Sequence, residues 1–181
     1  MRKNILLYGF IAGVIISTFM AISMAVMGCS AGDPKSKMTS MIIGFAAMVA
    51  SFSFVFIGIK NFRDKQNDGV IKFGKAFLIG SLISLVASTM YVLTWGVEFH
   101  FFMPDFMDKY SEMQIQDLHK SGVKGDLLNL GIKKIEETRD NYKSNPLFFA
   151  AYSYIEILPV GIIVSLISAL ILKRKKKVTL V

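Results

Sequence analysis

Apolar residues along this chain come in long unbroken blocks, not in the short alternations of a soluble domain. No charged residue occurs from Ile5 to Gly28 or from Met38 to Ile59; Ala76 to Phe102 carries only Glu98 and His100, and Pro146 to Leu172 only Glu156. About 20 mostly apolar helical residues, rising 1.5 Å each, cross a hydrocarbon core of roughly 30 Å. The pattern predicts four spans, at residues 5–28, 38–59, 76–102 and 146–172. The last begins with Asn145, a good N-cap, and Pro146, which suits a first helical turn. Between the second and third spans, Lys60 to Lys75 is a charged loop with an Asn-Asp-Gly turn, and Ser30 to Lys37 is a short polar turn.

Residues 103–144 are the one sizeable polar stretch. Its periodicity predicts two helices. The first runs from Pro104 to about Lys120 with Phe106, Tyr110 and Met113 on one side and Gly122 past its end. Asp126 is placed to cap the second, which repeats Leu128, Ile132, Ile135 and Tyr142 at helical spacing, with Lys133 and Glu137 set for an i,i+4 pair. The fold class is therefore all-α: a four-helix transmembrane bundle with an extracytoplasmic helical hairpin between spans 3 and 4. The whole chain, 1–181, reads as a single integral membrane domain with a basic tail at 173–181.

Composition agrees with a membrane class. The 181 residues are 53% hydrophobic, with a mean hydropathy of +0.51. The net charge of +8 raises nucleic acid as a partner until the bases are located. Lys60, Arg63, Lys65, Lys72 and Lys75 lie in the middle loop and Lys173 to Lys177 in the tail, each run beside an apolar span. That placement marks topology and contact with anionic lipid, not a nucleic-acid footprint. With Arg2 and Lys3 at the start, the bases put both termini on the cytoplasmic side and residues 103–144 outside. Cys29 is the only cysteine, which excludes an intramolecular disulfide and a multi-cysteine metal site. Val26-Met27-Gly28-Cys29 resembles a lipobox, but the preceding apolar run is longer than the 7 to 15 residues of a signal and reads as a span.

No catalytic, cofactor-binding or metal-ligating set can be assembled. Gly69 to Ala76 imitates a phosphate-binding loop, but Ala76 has no hydroxyl for a magnesium ion and no strand precedes it. His119 has no second ligand at metal spacing. The informative residues are of other kinds. Gly9, Gly13 and Ser17 recur every fourth position in the first span, Gly80 and Ser84 in the third, and Gly161 and Ser165 in the last, and such stripes let helices approach closely. Glu156 is the only charge in the last span, and intramembrane carboxyls often mark functional sites. Levelling the spans puts Tyr91, Thr94, Trp95 and Ser17 to Ser23 near its depth, and Tyr152 shares its side of the last span. Glu98 and His100 form an expected polar pair at the outer interface.

The stretch GVIKFGKAFLIG at Gly69 to Gly80, Pro104-Asp105-Phe106, Asn145-Pro146, Glu156 and Val160-Gly161 resemble the bacterial domain-of-unknown-function 4199 family. The resemblance implies a small multi-pass protein of the bacterial inner membrane and carries no activity to transfer. On the residues alone, the leading expectation is a non-enzymatic assembly or interaction protein whose partners are the lipid bilayer and a second copy or another membrane protein. At 100° per residue, Ala150, Ala151, Gly161, Ser165, Ser168 and Ala169 fall within about 60° of the direction opposite Glu156, so the last span has two distinct faces. The alternative is a proton-linked small-solute carrier or channel using Glu156.

Overall fold

A computed structural model describes the backbone of residues 1–27 and 34–174 and the side chains of 1–22 and 42–174. Cys29 and Lys175 to Lys177 lie outside the described residues. Among the described residues six helices follow one another: α1 (Arg2–Met27), α2 (Pro34–Gln66), α3 (Phe73–Phe101), α4 (Phe106–Lys120), α5 (Asp126–Ser144) and α6 (Pro146–Leu172). Four of them, α1, α2, α3 and α6, are long and apolar enough to cross a membrane. The protein is all-helical, with the four spans of a multi-pass membrane protein.

Element boundaries follow local chemistry. Asn145 Oδ1 accepts the backbone N–H groups of Leu147 (3.0 Å) and Phe148 (3.2 Å), so two otherwise orphaned donors at the start of α6 are satisfied. At α5 the expectation fails, because the N-cap is Gly125, with φ 66° and ψ −143° and no side-chain bond. Asp126 is instead the first helical residue, where its charge still complements the positive end of the helix. The second span starts earlier and ends later than its uncharged core. Pro34 opens it in the position where a missing N–H costs nothing, and it continues through Lys60 and Arg63 to Gln66. What stops it is the turn at Asp68 and Gly69, both with left-handed φ (50° and 73°), where Gly69 N–H closes onto the Arg63 carbonyl at 2.9 Å.

The chain divides into two compact units, residues 1–94 with 155–181 and residues 95–154. In the first, α3 is the most buried span, half of it enclosed against a third or less for each of the others. It meets α1 at Gly9 and Val86, α2 at Gly58 and Ile83, and α6 at Gly80 and Ser165. Asn4 Nδ2 donates to the Gly58 carbonyl at 2.7 Å and Asn61 Nδ2 to Tyr8 Oη at 2.8 Å, which ties α1 to α2. The N-terminal amine donates to Gln66 at 2.8 Å, and Ile71 and Arg174 exchange backbone hydrogen bonds. The start of α1, the α2–α3 loop and the end of α6 therefore share one end of this unit.

In the second unit α4 and α5 lie together. Asp108 accepts Lys143 at 2.7 Å, and a Cβ on Gly131 would stand 2.7 Å from Leu118 Cδ2, so the pair packs closely there. The buried side of α4 carries Met107 and Ser111. The sequence pattern favours Phe106, Tyr110 and Met113, about 100° away, and these are half-buried. The Lys133 and Glu137 pair forms at 3.9 Å with both side chains exposed, a contact worth little to stability. His119 is exposed.

Candidate functional site

The small-residue positions of the spans converge on α3. A Cβ added to Gly9 would lie 2.6 Å from Val86 Cβ, and one on Gly13 would lie 2.8 Å from Met90 Cβ, so α1 approaches α3 as closely as two backbones allow. One turn further, Thr94 Oγ1 donates to Ser17 Oγ at 2.9 Å. On the other side of α3, a Cβ on Gly80 would meet Ser165 Cβ at 2.9 Å, and one on Gly161 would meet Ser84 Cβ at 2.7 Å. Ser165 Oγ donates to the Gly161 carbonyl at 2.7 Å, and Ser84 Oγ lies 3.0 Å from Ser165 Oγ and 3.1 Å from the same carbonyl. All seven residues Gly9, Gly13, Ser17, Gly80, Ser84, Gly161 and Ser165 thus serve contacts within the chain.

The two faces of α6 separate accordingly from Ile157 onward, but Ala151, expected on the packed face, is exposed and Ala150 is half-buried. Ile157, Gly161, Ser165, Ser168 and Ala169 are buried, whereas Glu156, Ile163, Leu166, Ile167 and Leu170 are exposed. Glu156 projects outward from the bundle. Its expected companions turn elsewhere. Tyr91 is buried, and Thr94 is bonded to Ser17. Tyr152 is exposed, one helical turn before Glu156 in α6.

Trp95 belongs to the core of the second unit, where its Nε1 donates to Tyr142 Oη at 2.6 Å. Tyr142 is the hub of this core. Its ring meets Phe99 edge-on at 5.4 Å, Phe149 at 4.9 Å and Tyr152 at 5.6 Å between centroids, and Phe106 meets Trp95 edge-on at 5.1 Å. Such edge-to-face pairs add to the area they bury. The hydroxyl also lies 3.5 Å from Ser153 Oγ. The periodicity of α5 marks Tyr142 as an apolar position, but nothing in the sequence pairs it with the only tryptophan.

Glu98 and His100 do not form a pair. Two positions apart, their directions differ by about 200°. Glu98 turns inward, 8% exposed, and its Oε2 has no hydrogen-bond partner among the described residues; His100 is exposed, with its ring against Phe101. Arg139 lies on the α5 surface, where the Asp140 carboxylate accepts its Nε–H at 2.9 Å and holds the guanidinium above its ordinary pKa. Among the described residues, no three of His, Cys, Asp and Glu come together as a metal site would require.

The family profile described as protein of unknown function (DUF4199) matches residues 7–174, which takes in α2 to α6 and all but the first turn of α1. The chain belongs to this family. No curated protein and no solved structure gives a significant match. Membership in DUF4199 agrees with four apolar helices in a small membrane protein, and the family brings no activity with it.

Proposed function

We propose that this DUF4199 protein is a non-enzymatic membrane protein that acts by association, and that the exposed face of α6 carrying Glu156 is the surface that meets a second copy of the chain. The observation that supports this reading is the division of labour on α6. Gly161 and Ser165 are consumed by packing on α3 and α2, while an ionisable side chain and a row of large aliphatic residues are left on the outside. A carboxyl facing hydrocarbon is costly, and a neighbouring span that hydrogen-bonds to it removes much of that cost. A two-fold contact places the same face on both subunits, and a protonated carboxyl can both donate and accept, so Glu156 is suited to meet its own copy. The outward direction also favours association over conduction through the bundle interior.

The reading includes a location. Arg2, Lys3, Lys60, Lys65, Lys72, Lys75, Lys173 and Arg174 gather at the end of the first unit that holds the chain's start and the end of α6, which supports a cytoplasmic position for that end in a bacterial inner membrane. The connection from α3 to α6 is then extracytoplasmic.

Disulfide trapping in native membranes tests the association. In a Cys29→Ser background, Ile163→Cys on the exposed face should give a dimer on oxidation, and Ser165→Cys on the buried face should not. A chain that stays monomeric in both would sink the reading. Trapping of Ile163→Cys to a chain of different mass would replace the second copy by another membrane protein.

A further inference from the structure

At the basic end of the first unit, two segments that each carry bases are paired. Ile71 N–H donates to the Arg174 carbonyl at 3.1 Å and Arg174 N–H to the Ile71 carbonyl at 2.9 Å, an antiparallel pairing of two segments far apart in the chain. In such a pairing the residue after one partner stands across from the residue before the other. The pairing therefore brings Lys72, Lys173 and Arg174 to one end of the unit. Like charges gathered at one place repel, and the pairing that gathers them is anchored by the fully buried Ile71 side chain.

Among the described residues, Asp64 answers part of this charge, Arg174 acting on its carboxylate together with Arg63 and Lys60. The acids nearby are Asp64 and Asp68, and Asp64 is gripped by Arg63 through contacts of 2.6 and 3.1 Å. Arg63 also reaches the Leu172 carbonyl at 3.4 Å, at the end of α6. Lys75 is occupied as well, donating to Asn67 at 3.0 Å and lying 4.9 Å over the Phe62 ring. Lys72, Lys173 and Arg174 are exposed and, among the described residues, form no ion pair. Apolar surface adjoins them directly. Phe73 is exposed and stacked on Phe77 at 6.0 Å, and Leu170 and Ile171 are exposed just before Lys173.

We infer that the Ile71 and Arg174 pairing builds a site for an anionic phospholipid, in which Lys72, Lys173 and Arg174 hold the head-group phosphate and Phe73, Leu170 and Ile171 line its acyl chains. Phosphate between Lys72 and Lys173 converts a repulsive pair into two attractive ones, and Arg174 can offer two parallel donors to the same group. The apolar flank decides for a lipid over a free anion, because soluble phosphate would gain nothing from it. This site does not involve Glu156 and stands apart from the association reading.

Native mass spectrometry of the full chain in neutral detergent, loaded with equal phosphatidylglycerol and phosphatidylcholine of matched acyl chains, tests the proposal. Wild type should retain phosphatidylglycerol in preference. That preference should fall roughly fivefold for each of Lys72→Gln, Lys173→Gln and Arg174→Gln, as expected for surface bases facing anionic lipid. Lys133→Gln with Lys134→Gln, exposed bases of the second unit, should leave it unchanged. Equal retention of the two lipids by wild type, or an undiminished preference in Lys72→Gln, whose side chain bonds nothing in the fold, would overturn the proposal. Displacement of the lipid by inorganic phosphate at a matching concentration would overturn it too, since the site would then be one for a soluble anion.

Discussion

Ser84 on α3 and Ser165 on α6 face each other with their hydroxyl oxygens 3.0 Å apart, and the carbonyl of Gly161 lies within hydrogen-bond distance of both. Each hydroxyl has a single proton to give. Because Ser165 donates to its own helix, Ser84 is left to bridge the two helices, either to Ser165 or to the carbonyl. The bridge exists only because Gly161 and Gly80 let the backbones approach this far.

Gly161→Ala should therefore destabilise the bundle more than loss of the hydroxyl does. The new Cβ would meet Ser84 Cβ at 2.7 Å and Phe52 Cε1 at 2.9 Å, and the first of these cannot move without its backbone. Overpacking of that kind costs about 1 to 3 kcal/mol, against about 0.6 kcal/mol for an interhelical hydrogen bond in a membrane. Unfolding in mixed micelles, followed by circular dichroism, should rank Gly161→Ala and Gly80→Ala below Ser84→Ala, and Ser84→Ala close to wild type.

Glu156→Leu should leave the stability of the isolated chain within about 0.5 kcal/mol of wild type, as for other surface changes away from packed features. Its effect should fall on the dimer, seen as weaker trapping through Ile163→Cys. A second readout separates carrier from interaction protein. Glu156→Gln in proteoliposomes should leave solute and proton leak unchanged, and loss of a pH-dependent flux in a folded variant would favour transport instead.

Tyr142→Phe removes the acceptor of the Trp95 indole and leaves a buried donor unpaired, which costs about 1 to 3 kcal/mol. Trp95 is the only tryptophan, so emission excited selectively at tryptophan reports on its surroundings in the second unit. The variant should show a red-shifted emission and a lower midpoint in denaturant for that signal, with the helical content of the spans unchanged.

Cys29 follows the first apolar run and lies beyond the described residues, and it reports on orientation. With the basic end cytoplasmic, a membrane-impermeant thiol reagent should label it in intact spheroplasts. Labelling that appears only after permeabilisation would reverse the orientation.

Length and periodicity along the chain suffice for the number of spans, for two amphipathic helices between the third and the fourth, and for the Asn145 cap, because each is decided within a few turns of helix. The stripes of Gly and Ser are legible for the same reason: a four-residue repeat is a local property. What a stripe meets is not local. That Gly9 and Gly13 seat on Val86 and Met90, and Gly161 on Ser84, depends on which helices neighbour α3. The direction of Glu156 depends on it as well: once the small residues of α6 are committed to α3, the opposite face has nowhere to point but outward. Trp95 illustrates the same limit, since its depth suggests Glu156 as a companion while the fold supplies Tyr142, 47 positions away. The sequence by itself determined a four-span membrane protein with a basic end, through hydrophobic block length and the placement of charge. Only the tertiary structure decided that Ile71 pairs with Arg174 and that Glu156 faces away from the bundle, because both follow from contacts between segments that no local periodicity relates.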